Sequence, residues 1–287
     1  MIDLHLHTLC SDGRDSPEAV VSRAVSLGLE AIAVTDHDTM AGSLRAIEAA
    51  GTDLRVVPGV ELSAIEGKTP IHFLGYGVDA TCVPFAALLE SIREERRARA
   101  EEIILRLHTL NVPLSMAAVE RIADGAPITR THLAEAMVAG GFAATYTDAF
   151  ARYLSTGCPA FIPQGHLRPE AAIARIHDAG GAAVLAHPGL TRRDELIAGM
   201  VRNGLDGIEI LHPNHTPAIV RYYQGLAQKH GLVVTGGSDA HGAGRGGDLM
   251  GAVCAPTWML HHLDRVLEDR RSEAAGKPLE HTLSTVP

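Results

Sequence analysis

Short apolar runs, each ending in a histidine or a carboxylate, recur along most of the chain and are separated by stretches with helical spacing. The first is Ile2-Asp3-Leu4-His5-Leu6-His7, a strand pattern whose alternation puts His5 and His7 on one side. Ser16-Pro17-Glu18 then reads as a helix start, with Ser at the cap and Pro in the first turn. Ala19, Val20, Ala24 and Leu27 follow at helical spacing, and Gly28 closes the helix. Residues 31–34 are continuously apolar and lead into Thr35-Asp36-His37-Asp38. A helix over 40–50 precedes Arg55-Val56-Val57-Pro58-Gly59-Val60, which ends in Glu61, and the next run, 70–76, holds His72 inside it. Later runs deliver His187, then His212 and His215, and last Asp239 and His241. Unbroken apolar strands alternating with helices predict a parallel α/β barrel, with its chemistry gathered at the carboxyl ends of the strands.

The rhythm breaks in the middle. Residues 83–110 read as one long helix with a solvated charge run at Glu94-Glu95-Arg96-Arg97, followed by helices at 115–123, 131–139 and 147–154. No strand pattern occurs there, so 81–165 is read as an all-helical insertion domain covering the active site, with 1–80 and 166–287 forming the barrel. In the insertion, Thr129-Arg130-Thr131-His132 sets Arg130 and His132 at a helix start, where backbone N–H groups and the dipole favour anions. Gly165-His166-Leu167-Arg168 is read as surface capping. Residues 258–271 form a closing amphipathic helix, and a loose tail follows.

Composition narrows the function. The 287-residue chain carries a net charge of −9 and 16 histidines, a poor match to duplex DNA, which is bound mainly through Lys and Arg. Cys10, Cys82, Cys158 and Cys254 are scattered, so neither a disulfide framework nor a zinc ribbon is indicated. The start has no signal-peptide pattern and no stretch long enough to cross a membrane, which gives a cytoplasmic expectation and no membrane partner. His5, His7, Asp12, His37, Glu61, His72, His187, Asp239 and His241 all fall at or near strand ends or within a strand. Mixed imidazole and carboxylate ligands suit Mn, Zn or Fe better than Mg, and so many ligands imply two or three ions.

The ordered set His5-x-His7, Ser11-Asp12-Gly13, Thr35-Asp36-His37, Gly59-Val60-Glu61, His72, Ala186-His187-Pro188 and Ser238-Asp239-Ala240-His241 resembles the PHP (polymerase and histidinol phosphatase) family. The resemblance implies a distorted (β/α)7 TIM-like barrel with a trinuclear centre. One ion would take His5, His7, Glu61 and Asp239; a second Asp12, His37 and His241; a third Glu61, His72 and His187, with Glu61 bridging. The insert and its Thr129-Arg130-Thr131-His132 segment look like the branch of nucleoside 3′,5′-bisphosphate phosphatases. That branch implies a phosphoric monoester hydrolase that yields nucleoside 5′-monophosphates, with trimming of short 5′-phosphorylated RNA as a second activity. Manganese is the first-choice metal, with Zn²⁺, Fe²⁺ and Mg²⁺ as alternatives.

The implied nucleophile is a metal-activated water, so no side chain is named as nucleophile. His215 is the candidate acid, Arg130 and His132 would hold the phosphate that does not react, and Asp36 is a further substrate contact. Arg192 and Arg193 are phosphate candidates by position alone. A histidinol-phosphate phosphatase and an amidohydrolase-type C–N hydrolase are the alternatives.

Overall fold

A computed structural model of the chain describes residues 1–165, 167–243, 249–253 and 255–275. His166, Cys254 and most of the tail lie outside the described residues. The apolar runs form seven strands in one sheet, in chain order: β1 (Ile2–Leu6), β2 (Ala31–Val34), β3 (Arg55–Glu66), β4 (Thr69–Tyr76), β5 (Ala182–Leu185), β6 (Gly207–Leu211) and β7 (Val233–Gly236). Every residue of β1, β2 and β5 is buried, as expected of strands covered on both faces. A parallel bridge between Leu6 and Ala240, with the His7 N–H donating to the Ala240 carbonyl at 3.0 Å, brings the last strand back to the first. The sheet is therefore a nearly closed, barrel-like array of mostly parallel strands.

The all-parallel expectation needs one correction. β4 runs antiparallel to both β3 and β5, because Glu66 pairs with Thr69 across a two-residue turn. So short a connection makes a hairpin; a parallel crossover needs about a dozen residues or more. Reversal also explains why His72 lies early in its strand. In an antiparallel strand the end that faces the others' carboxyl termini is the amino-terminal one, so His72, paired with Ser63, reaches the same face as Glu61.

Helices cover the sheet. α1 (Pro17–Ser26) is capped by Ser16, whose side chain accepts from the Ala19 N–H, and α2 (Ala41–Ala50) follows β2. Among the described residues, the chain between β4 and the helix Pro169–Asp178 is helical or loop: α3 (Val83–Thr109), α4 (Met116–Ala123), α5 (Arg130–Ala139) and α6 (Tyr146–Ala149), which runs into a π-helical turn at Phe150–Leu154. These helices gather around their own apolar cluster, including Ile103, Leu107, Leu133 and Met137, apart from the barrel core of Phe73, Tyr76, Ile176 and Val184. α7 (Pro169–Asp178), α8 (Pro188–Thr191), α9 (Ile197–Arg202), α10 (Pro217–His230) and α11 (Thr257–Ala275) complete the layer around β5 to β7. Among the described residues no helix is long and apolar enough to cross a membrane.

Gly237 shows how tightly β7 meets β1. A Cβ there would overlap the backbone nitrogen and Cβ of His5, so only glycine lets the chain that carries Asp239 pass His5. Gly237→Ala is expected to cost about 1–3 kcal/mol in urea unfolding, the range for forced overpacking. Unchanged stability would show that the two segments are not held this closely.

Candidate metal centre

The strand ends bring the nine histidines and carboxylates of the sequence pattern into one cluster. His5 and His7, on the same side of β1, have ring centroids 5.1 Å apart. Glu61 is the hub. Its Oε1 is 2.9 Å from both His72 Nδ1 and His187 Nε2. Its Oε2 is 3.0 Å from His37 Nδ1, 3.3 Å from His7 Nε2 and 3.6 Å from His5 Nε2. Asp239 Oδ1 faces His7 Nε2 at 3.2 Å and His5 Nε2 at 3.4 Å, and His241 Nε2 lies 3.4 Å from Asp12 Oδ1. All three ligand groups implied by the family pattern are thus drawn together.

The donor chemistry fits divalent ions. Asp12 Oδ1 and His37 Nδ1 are buried and make no hydrogen bond, although His37 Nδ1 sits only 3.0 Å from a Glu61 oxygen. Atoms that approach without donating to one another are aimed at a common point. His7, Asp12, His37 and His241 offer ligand atoms all within 4.8 Å of each other, and so do His37, Glu61 and His72. Electrostatics agree. Burial alone would raise Glu61, but His37, His72 and His5 outweigh it and hold the carboxyl well below its ordinary value. Burial would likewise lower His7, yet hydrogen bonds to Asp239 and Glu61 carry it up to about 10. Cationic charge is stabilised here, and divalent ions would meet that demand.

Outer contacts orient the ligands. His5 Nδ1–H donates to Glu209 Oε1 at 2.9 Å, which leaves Nε2 facing the cluster, while Glu209 Oε2 accepts the His187 N–H at 2.8 Å. His241 Nδ1–H donates to the Asp239 carbonyl at 2.8 Å, turning its Nε2 toward Asp12. Carboxylate or carbonyl partners of this kind fix the tautomer and ring plane of metal-binding histidines. Glu209→Gln is expected to weaken metal binding about 10- to 100-fold. Equilibrium titration with Mn²⁺ reads this directly, and unchanged affinity would remove Glu209 from the site. Three non-glycine residues with left-handed backbone sit in or beside the cluster: Asp38 (φ 52°), His187 (φ 28°) and Asp239 (φ 50°). Each costs about 1 kcal/mol or more, strain typical of residues held for function.

Four sequence assignments change. Asp36 is fully buried, and its carboxylate accepts from Thr8 N–H (2.7 Å), Thr8 Oγ1 (2.6 Å) and Ser11 Oγ (2.5 Å). It braces the loop that carries Asp12 and leaves substrate no access. His132 does not line the cavity: its Nδ1 accepts the Thr129 N–H at 3.1 Å, closing the start of α5. His215 donates from Nδ1 to the Ile210 carbonyl (2.9 Å) and accepts the Gly189 N–H at Nε2 (3.2 Å), and burial holds it below its ordinary value. A neutral ring with both nitrogens engaged by backbone, outside the cavity, clamps two loops and is not placed to act as an acid. Arg192 and Arg193 also lie off the cavity; Arg193 donates to Thr69 Oγ1.

Arg130 does line the cavity, and the structure adds residues that the sequence did not single out. The cavity, about 460 Å³, holds the cluster at one side and Lys68, Arg96, Arg99 and Arg130 around it. Arg96, from α3, is neutralised by Asp38: its Nε donates to Asp38 Oδ2 at 2.8 Å and its Nη2 to Ser63 Oγ at 3.0 Å. Arg99 donates to the Ile162 carbonyl from Nε (2.9 Å) and Nη2 (2.8 Å), and to Gln164 Oε1. Arg130 donates to the Leu154 carbonyl and lies over the Phe150 and Phe161 rings, at 5.7 and 5.5 Å. Among the described residues, neither Arg99 nor Arg130 pairs with a carboxylate. Burial, reinforced by Arg130 and Arg96, pushes Arg99 down to about 9. His212, whose Nε2 is 3.3 Å from Asp239 Oδ2, is a further member of the cluster's surroundings.

A barrel with a His/carboxylate cluster at the carboxyl ends of its strands is the architecture of a metal-dependent hydrolase. The chain belongs to the PHP family: residues 3–149 match the PHP domain, and relatives extend the match through the later strands. Within the family it falls in the branch of the 3′,5′-nucleoside bisphosphate phosphatase of Chromobacterium violaceum, to which it is 34% identical over 90% of this chain and 95% of that protein. The 5′-3′ exoribonuclease Rnm of Escherichia coli is 36% identical over 83% of this chain and 84% of that protein. Among solved structures, a Bifidobacterium adolescentis protein described as a metal-dependent phosphoesterase superposes with a TM-score of 0.85 at 32% identity, covering 92% of this chain and 96% of that one.

Proposed function

We propose that this protein removes the 3′-phosphate from nucleoside 3′,5′-bisphosphates, leaving nucleoside 5′-monophosphates, with short 5′-phosphorylated RNA as a second substrate. The observation that carries this reading is the pair of buried Arg99 and half-buried Arg130 in the cavity that holds the metal cluster, neither of them paired with a carboxylate among the described residues. Burying a guanidinium without a counter-charge is costly, and a ligand phosphate would supply the missing anion through paired hydrogen bonds. Histidinol phosphate has a single phosphate, the one that reacts, and leaves that role unfilled.

His5, His7, Glu61 and Asp239, then Asp12, His37 and His241, then His72 and His187 with Glu61, would hold two or three divalent ions, Mn²⁺ first by donor type. Bound there, the ions would supply the charge that activates water near neutral pH and offsets charge on the phosphoryl oxygens. Arg99 and Arg130 anchor the 5′-phosphate, so binding energy remote from the reacting bond positions the 3′-phosphate against the cluster. Tyr146, Phe150 and Phe161 line the same cavity and give the nucleoside an apolar wall. Relatives of comparable similarity carry the bisphosphate phosphatase and exoribonuclease names, which supports both substrates.

The test is product identity. Manganese-loaded protein with adenosine 3′,5′-bisphosphate, followed by ³¹P NMR, is expected to give inorganic phosphate and 5′-AMP. Formation of 3′-AMP, or turnover of histidinol phosphate alone, would overturn the reading.

A further inference from the structure

A groove of about 940 Å³ adjoins the metal cavity. Tyr146 lines both, and the groove residues Ser11 and Gly13 flank Asp12, which lines the cavity. The partition between them is a short polar chain in which Thr131 Oγ1 donates to Asp12 Oδ2 at 3.1 Å and meets the Tyr146 hydroxyl at 3.3 Å. The groove wall is unusual for a surface. Leu9 is 52% exposed, Ile122 37% and Tyr146 37%, three large side chains lining one groove and open to solvent. Arg14 lines the groove paired with Glu135 at 2.9 Å, whereas Arg121 makes no ion pair among the described residues. Exposed apolar and aromatic surface beside an arginine that has no ion pair among the described residues is what single-stranded nucleic acid uses, bases stacking while phosphates meet the charge, and the groove's Asp124 lies three residues from that arginine.

We infer that this groove binds the nucleotides downstream of the cleaved bond in a 5′-phosphorylated RNA chain. The inference rests on the proposed function and deepens it. With the 5′-phosphate on Arg99 and Arg130 and the first phosphodiester at the cluster, the second nucleotide leaves the cavity past Tyr146 and enters the groove. Hydrolysis there adds the water's OH to phosphorus, breaks the P–O3′ bond and puts the proton on the 3′ oxygen. A nucleoside 5′-monophosphate departs, and the shortened chain keeps a 5′-phosphate, ready for the same anchor. A nucleoside bisphosphate ends at its 3′-phosphate and never reaches the groove.

The experiment compares wild type with Leu9→Glu/Arg121→Glu on adenosine 3′,5′-bisphosphate and on 5′-phosphorylated tetraadenylate. Both side chains are exposed, and neither is one of the nine cluster residues or lines the metal cavity. For the double variant, kcat/KM on the tetramer is expected to fall about tenfold or more, mainly through KM, while the bisphosphate stays within about twofold. No change on the tetramer, or an equal fall on both substrates, overturns the inference. Wild type that hydrolyses the bisphosphate but not the tetramer overturns it too and leaves the proposed function standing. Wild type that hydrolyses neither removes both. A groove that serves a protein partner would show itself as an unchanged tetramer rate.

Discussion

Glu61→Gln is expected to lower phosphate release by at least about 10³-fold, the scale of losing a central charge-stabilising group. Glu61 places one oxygen against His72 and His187 and the other against His37, His7 and His5, so one carboxylate ties together most of the cluster. Glutamine preserves the shape but removes the charge, and its NH₂ has no lone pair to offer an ion where a carboxylate oxygen would. Fewer bound ions per chain should accompany the loss, measured by elemental analysis after equilibration with Mn²⁺. Native metal content with native kcat would show that Glu61 is not the bridge.

Arg99→Met separates substrate recognition from folding. The guanidinium is buried, its hydrogen bonds go to the Ile162 carbonyl and Gln164, and it has no carboxylate partner among the described residues. Methionine removes an uncompensated charge at the expense of two unmet acceptors, so unfolding free energy without ligand should stay within about 1 kcal/mol. For adenosine 3′,5′-bisphosphate, kcat/KM is expected to fall about 10²-fold, as when one partner of a buried charge pair is truncated. Adenosine 3′-monophosphate, which has no 5′-phosphate to lose, should change less than about threefold on the same scale. Equal losses on both substrates would mean that Arg99 supports the site's structure and not the second phosphate.

The barrel was legible because most of its strands are buried on both faces, which favours apolar runs such as Ala31-Ile32-Ala33-Val34 and gathers many of the polar residues where the strands end. His5 and His7 were legible for a similar reason, since strand alternation alone puts them together. The direction of β4 was marked by its two-residue turn and obscured by the regular rhythm around it. Asp36, His132 and His215 mark where a linear reading stops. A polar side chain near a strand or helix end looks the same in sequence whether it faces a ligand or satisfies backbone donors, and these three do the latter. Glu209 had a readable signal, a carboxylate inside the apolar run Gly207-Ile208-Glu209-Ile210-Leu211. Arg99 had none, because the charges of α3 surround the helix and only the packing of the insertion shows which of them are buried.

The central claim is that this cluster is a polynuclear metal centre serving phosphate-ester hydrolysis. Its most direct test strips the protein with a chelator and returns Mn²⁺ in steps, counting bound ions by elemental analysis while following phosphate release from adenosine 3′,5′-bisphosphate. The stripped protein is expected to be inactive, with a rise in activity that completes at two to three ions per chain. Full activity without bound metal, or saturation with metal and no phosphate release, would contradict it.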